Sequence, residues 1–104
     1  MKEINVTELK KLFDSKADFQ LIDVREPHEL EICELGGLLI PMATILDNLD
    51  KISKDKQVVI LCRSGRRSAA VVDALERNGY TNAYNLKGGI LDWAKVIDPS
   101  MDTY

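Results

Sequence analysis

The chain has 104 residues, 45% of them apolar and 30% charged, with a net charge of −3. That describes one globular domain and excludes a disordered chain. The net negative charge also argues against a nucleic-acid or acidic-membrane binder. No stretch approaches the roughly 18 apolar residues of a membrane span, and residues 1–5 lack the apolar run of a signal peptide. Two cysteines and one histidine make neither a disulfide framework nor a zinc site. The expectation is a cytoplasmic monomer with reduced thiols and no metal.

Strand and helix patterns alternate along the chain. Thr7 reads as the N-cap of a short helix bearing Leu9, Leu12 and Phe13. The run from Phe19 to Val24 is apolar on both faces near its end, as a buried parallel strand requires. Pro27 opens a short helix over 27–34. Gly36-Gly37 breaks the chain, and Leu38-Leu39-Ile40 forms a brief strand stopped by Pro41. Residues 42–49 have helical spacing through Ile45, Leu46 and Leu49.

Gln57 to Leu61 is the second strong strand, and it runs directly into Cys62. A helix follows over 68–78 with Ala69, Val72 and Leu75 on one stripe, ending at Asn78-Gly79. Ala83 to Leu86 is a weaker strand. Gly88-Gly89 then turns into a helix carrying Ile90, Leu91, Trp93 and Val96. Strands separated by helices imply a parallel sheet covered on both faces, an α/β fold. Residues 1–98 make the domain, and 99–104 read as a loose tail.

Chemistry concentrates in Cys62-Arg63-Ser64-Gly65-Arg66-Arg67-Ser68, which holds three of the 14 basic residues. Ligands of open parallel sheets bind at the carboxyl ends of strands, and Cys62 stands at such an end. The following helix N-terminus and the guanidinium groups both favour a thiolate, the nucleophilic form. Gly65 lets the loop bend so that backbone N–H groups point inward as an anion nest. The bland alternative is a core cysteine beside surface arginines.

Taken together, four segments carry a resemblance. They are Leu21-Ile22-Asp23-Val24-Arg25-Glu26-Pro27 with Glu29 after it, Ile40-Pro41, the Cys62 loop, and Leu86-Lys87-Gly88-Gly89-Ile90-Leu91-Asp92-Trp93. The sequence resembles a single-domain rhodanese-type sulfurtransferase from Ile4 to Asp98. The resemblance implies a rhodanese-like fold with a five-stranded parallel sheet and helices on both faces. It implies that Cys62 carries a persulfide, with no separate cofactor. The backbone from Arg63 to Ser68 would cradle the outer sulfur. Arg63 and Arg66 would meet a small anionic donor such as thiosulfate, and Arg67 would turn back to lock the loop.

The stretch from Glu31 to Pro41 departs from the family's frequent Gly-His-Ile-Pro-Gly-Ala pattern. It resembles the rhodanese domains fused to ubiquitin-activating-like adenylyltransferases. That implies a sulfur-carrier protein or a desulfurase as partner.

The supporting residues read less sharply. Asp23 pairs with a loop arginine or merely caps a turn, and Arg25 lies at the same sheet edge. Glu26 or Glu29 with Arg25 reads as a surface pair worth under about 1 kcal/mol. Cys33 is a semi-buried small residue or, alternatively, a resolving thiol. His28 has no expected role, and Trp93 reads as core edge. Two rival functions stand beside sulfur transfer. One is a non-catalytic or carrier-binding domain. The other is a cysteine phosphatase or arsenate reductase, whose loops place one more residue between Cys and Arg than the four found here.

Overall fold

The computed structural model describes residues 1–104. After Gln57, the segment Val58-Val59-Ile60-Leu61 has no polar side chain, so both its faces can be buried. It becomes the central strand of a five-stranded sheet. The strands are β1 (Lys2–Ile4), β2 (Phe19–Asp23), β3 (Leu38–Leu39), β4 (Gln57–Leu61) and β5 (Ala83–Leu86). Their order is β1-β5-β4-β2-β3, and every pairing is parallel. Four α-helices connect them: α1 (Val6–Asp14), α2 (Pro27–Leu30), α3 (Arg66–Arg77) and α4 (Gly89–Asp92). A run of 3₁₀ turns spans Met42–Lys51, broken at Asn48, and a π-turn spans Trp93–Ile97.

The period of two along β4 divides the core. Val58, Ile60 and then Cys62 pack with Val71, Val72 and Leu75 of α3, and with Ile45 and Ile52. Val59 and Leu61 face the opposite layer, with Val6 and Leu9 of α1, Ile90 of α4 and Trp93. The α/β expectation with helices on both faces therefore holds.

Local boundaries differ where capping chemistry decides them. Asn5, not Thr7, caps α1. Its Oδ1 accepts from the Glu8 N–H at 2.8 Å, and Glu8 Oε1 accepts from the Asn5 N–H at 3.1 Å, a reciprocal capping box. The helix expected over 27–34 is shorter, ending at Leu30. The helical spacing over 42–49 takes 3₁₀ form. The edge strand β1 has no apolar alternation to announce it, since two of its three residues are exposed. No helix is long and apolar enough to cross a membrane.

The tail is packed rather than loose. Met101 and Tyr104 lie against the second core layer with Ile97. The Tyr104 hydroxyl donates to Glu29 Oε1 at 2.8 Å and accepts from Arg25 Nη1 at 3.1 Å. An aromatic ring with a polar tip can close an apolar layer and still satisfy a buried charge.

Topology fixes where a site can form. The chain leaving β2 passes outward to β3, and the chain leaving β4 passes the other way to β5. The loops after β2 and β4 diverge, leaving a crevice at the carboxyl ends of two neighbouring strands. Arg25 follows one strand and Cys62 the other.

Candidate active site

The loop after β4 closes around the Cys62 sulfur. Cys62 Sγ accepts from the Gly65 N–H at 3.1 Å and from the Ser68 N–H at 3.4 Å. Its contact with Ser68 Oγ is 3.3 Å. Gly65 makes this turn possible: it stands at φ +96° as the cap of α3, a conformation that disfavours a side chain. Cys62 is only 1% exposed. Burial pushes its thiol up, while the amides of Ser68, Gly65 and Ser64 bring it down. The net position is below the ordinary thiol value.

The loop's carbonyls are tied off behind. The Ile90 N–H donates to Cys62 O at 3.0 Å, and the Leu91 N–H donates to Arg63 O at 3.1 Å. This contact needs glycine. A Cβ on Gly89, which sits at φ +62°, would stand 2.4 Å from Arg63 O and 2.7 Å from Cys62 O. The sequence reads the Gly88-Gly89 pair as a turn into a helix, and the structure adds a second use for it, as a seat for the loop.

The three arginines part company. Arg67 makes two hydrogen bonds to Glu29 across the crevice, at 2.8 and 2.7 Å, tying the first turn of α3 to α2. Arg63 turns to the tail, with its Nε and Nη2 donating to the Tyr104 main-chain oxygen and its guanidinium 4.9 Å from the Tyr104 ring centre. Arg66 is exposed and makes no side-chain hydrogen bond or ion pair. Ser64 is exposed beside it.

The supporting carboxylates are exchanged relative to expectation. Asp23 does not reach a loop arginine. It pairs with Arg25, receiving Nη2 at 2.8 Å and Nε at 3.0 and 3.2 Å, with both side chains essentially sealed from solvent. Arg25 Nη2 also donates to Cys33 O at 2.8 Å. Burial works against the Arg25 charge, but Asp23 and Tyr104 more than offset it, holding the group fully protonated.

Glu29 is the partner of the loop arginine, and it is no surface residue, being 7% exposed. The reason is geometric: α2 places it over the crevice, facing α3. Arg67 holds its carboxyl at about 2, against the opposing effect of burial and with help from the Glu26 N–H and Tyr104. Arg67 is raised in turn, chiefly by Glu29.

Cys33 lies in the core layer opposite the one that holds Cys62, which favours its reading as a core residue over a resolving thiol. His28 is exposed. Trp93 is buried against Phe13, edge to face at 5.7 Å between ring centres. No group of three His, Cys, Asp or Glu side chains is placed to hold a metal ion.

Asn85 escapes the sequence reading altogether. Its Oδ1 receives the Ser68 Oγ–H at 2.5 Å, and its Nδ2 donates to Gly65 O at 3.2 Å. A lone amide within the apolar pattern of β5 was the available signal.

Comparison with known proteins agrees with this geometry. A family model described as a rhodanese-like domain matches residues 5–96. A sulfurtransferase from Allochromatium vinosum is 36% identical over 96 residues, covering 91% of this chain and 90% of the relative. The probable adenylyltransferase/sulfurtransferase MoeZ of Mycobacterium tuberculosis is 38% identical over 104 residues, but the aligned region spans only 26% of it. Among solved structures, a rhodanese-like domain protein from Staphylococcus aureus superposes with a TM-score of 0.85 at 37% identity. That alignment covers 100% of this chain and 99% of the other.

Two substitutions test the architecture. Gly89→Ala should cost about 1–3 kcal/mol of strain, read by urea unfolding; wild-type stability would show that the loop does not depend on this contact. Glu29→Gln should cost about 1–3 kcal/mol at neutral pH by breaking a charged hydrogen-bonded pair. The ionised Glu29 contributes stability that is fully present above its ordinary 4.5 and lost as pH falls through about 2. Unfolding measured between those values should therefore lose that component in the variant. An unchanged pH profile would contradict the pairing.

Proposed function

The chain belongs to the rhodanese-like domain family, and from that premise we propose that it is a sulfurtransferase working through a persulfide on Cys62. The observation that carries this reading is the pair of backbone N–H groups, of Gly65 and Ser68, aimed at Cys62 Sγ from the start of α3. Fixed dipoles of this kind stabilise negative charge on sulfur without reorganising. Four residues between Cys62 and Arg67 make a loop that fits a sulfur atom better than a tetrahedral oxyanion.

The reaction is a double displacement. Cys62 thiolate attacks the outer sulfur of a donor such as thiosulfate. The Sγ–S bond forms, the donor's S–S bond breaks, and its electron pair leaves with sulfite. An acceptor thiolate then attacks the outer sulfur of the persulfide, and Cys62 leaves as thiolate. The loop faces a charged sulfur before loading and again after it, so one cradle serves both half-reactions. Arg66 is the loop arginine free to meet an anionic donor, because Arg67 is committed to Glu29 and Arg63 to Tyr104.

The similarity to MoeZ, named as an adenylyltransferase and sulfurtransferase, supports a small sulfur-carrier protein as the physiological acceptor. A persulfide-bearing desulfurase fits the donor side.

Mass spectrometry after thiosulfate treatment should show a gain of one sulfur atom on the Cys62 peptide, absent in Cys62→Ser. No gain with thiosulfate or any persulfide donor would sink the enzyme reading in favour of a binding module. Hydrolysis of a small aryl phosphate, lost in Cys62→Ser, would favour a phosphatase instead. With labelled persulfide, transfer to a carrier protein is expected; transfer to cyanide and dithiothreitol alone would refute that acceptor.

A further inference from the structure

Three buried polar groups behind Cys62 form a chain whose hydrogen-bond directions are forced. Gly65 O can only accept, so the Asn85 group 3.2 Å from it must be the amide NH₂. Asn85 Oδ1 therefore faces Ser68 Oγ, 2.5 Å away, and Oδ1 can only accept. Ser68 has one hydroxyl proton, and Asn85 takes it. Ser68 is 0% exposed and Asn85 3%, so no solvent competes for these groups. What Ser68 Oγ presents to Cys62 Sγ, 3.3 Å away, is a lone pair.

We infer that Asn85 is a positioning residue for Cys62: it fixes Ser68 as an acceptor, so the hydroxyl favours the thiol and opposes the backbone amides, which favour the thiolate. A thiolate in this site has two options, both unfavourable. It faces a lone pair, or it turns the Ser68 proton toward itself and strands Asn85 Oδ1, which has no other partner.

Loading removes the conflict. Once Sγ is bonded to a second sulfur it carries neither proton nor charge, and the negative charge moves to the outer atom. The Ser68–Asn85 pair thus penalises the empty thiolate relative to the loaded persulfide, which favours uptake of sulfur. This deepens the persulfide reading and rests on it.

The charged surroundings of Cys62 leave the pair as the variable part. From α3 comes Arg67, already paired with Glu29. The end of β2 and the loop after it supply the closed Asp23–Arg25 pair. Arg63 and Tyr104 engage each other, Asp92 sits behind Gly88, and β5 contributes only the uncharged Asn85.

The test is a pH titration of thiolate ultraviolet absorbance, taken as the difference between each protein and its Cys62→Ser counterpart. Ser68→Ala removes the opposing lone pair, and Asn85→Leu frees the Ser68 proton to turn toward sulfur. Both should move the thiolate midpoint to lower pH, with roughly fivefold more thiolate on the acidic side of the wild-type midpoint, the effect of about one hydrogen bond. The double variant should match Ser68→Ala, because Asn85 acts through Ser68.

An upward or absent shift in Ser68→Ala overturns the proposal. So does an Asn85→Leu shift that persists without Ser68. Should Asn85→Leu fail to fold, the near-isosteric Ser68→Ala decides the sign alone. The titration needs no sulfur donor, so it separates the two readings. Downward shifts in a protein that never gains sulfur would uphold this proton arrangement while refuting the persulfide.

Discussion

A guanidinium with no solvent exposure anchors the site. Arg25 cannot shed its proton, so every N–H it carries must find an acceptor inside the protein. It finds Asp23 at the end of β2, the Cys33 carbonyl beyond α2, and the Tyr104 hydroxyl from the tail. Those partners come from three separate parts of the chain. Satisfying one buried charge therefore fixes the exit of β2, the loop beyond α2 and the seat of the tail together. Removing one partner of such a pair typically costs about 3–5 kcal/mol, because the other is left charged and buried.

From that anchor the order passes outward. Tyr104 connects Arg25 to Glu29, and Glu29 holds Arg67 in the first turn of α3. The crevice between the diverging loops is thus crossed by a line of alternating charges. Few rearrangements of the Cys62 loop leave that line intact. Rigidity here is chemical as well as mechanical, since a cradle of N–H groups stabilises sulfur only while its geometry is held in advance of the reaction.

Much of this was legible in the sequence, and the boundary is physical. The apolar run of β4, the cysteine at its end and the glycine in the loop are local signals, and each stands where the chain order placed it. The partners of the charged groups are not local. Glu29 and Arg67 lie 38 residues apart, and Arg25 and Tyr104 lie 79 apart. Composition made Glu29 look like surface and the tail look loose. Only the fold shows that Glu29 holds the loop arginine and that Tyr104 joins it to the buried Arg25. Asn85 fell between these cases: an amide in an apolar strand announces a buried partner without naming it.

The turn into α4 has a further meaning. By taking the carbonyl oxygens of Cys62 and Arg63 onto the Ile90 and Leu91 N–H groups, it sorts the peptide dipoles of the loop. Oxygens point away from the sulfur, and hydrogens point toward it. A cavity wall made this way is a filter by sign. An incoming electron-rich atom meets donors, and a group offering a proton of its own finds no main-chain oxygen to receive it. The two consecutive glycines that admit this contact thereby set the polarity of a pocket to which they contribute no side chain.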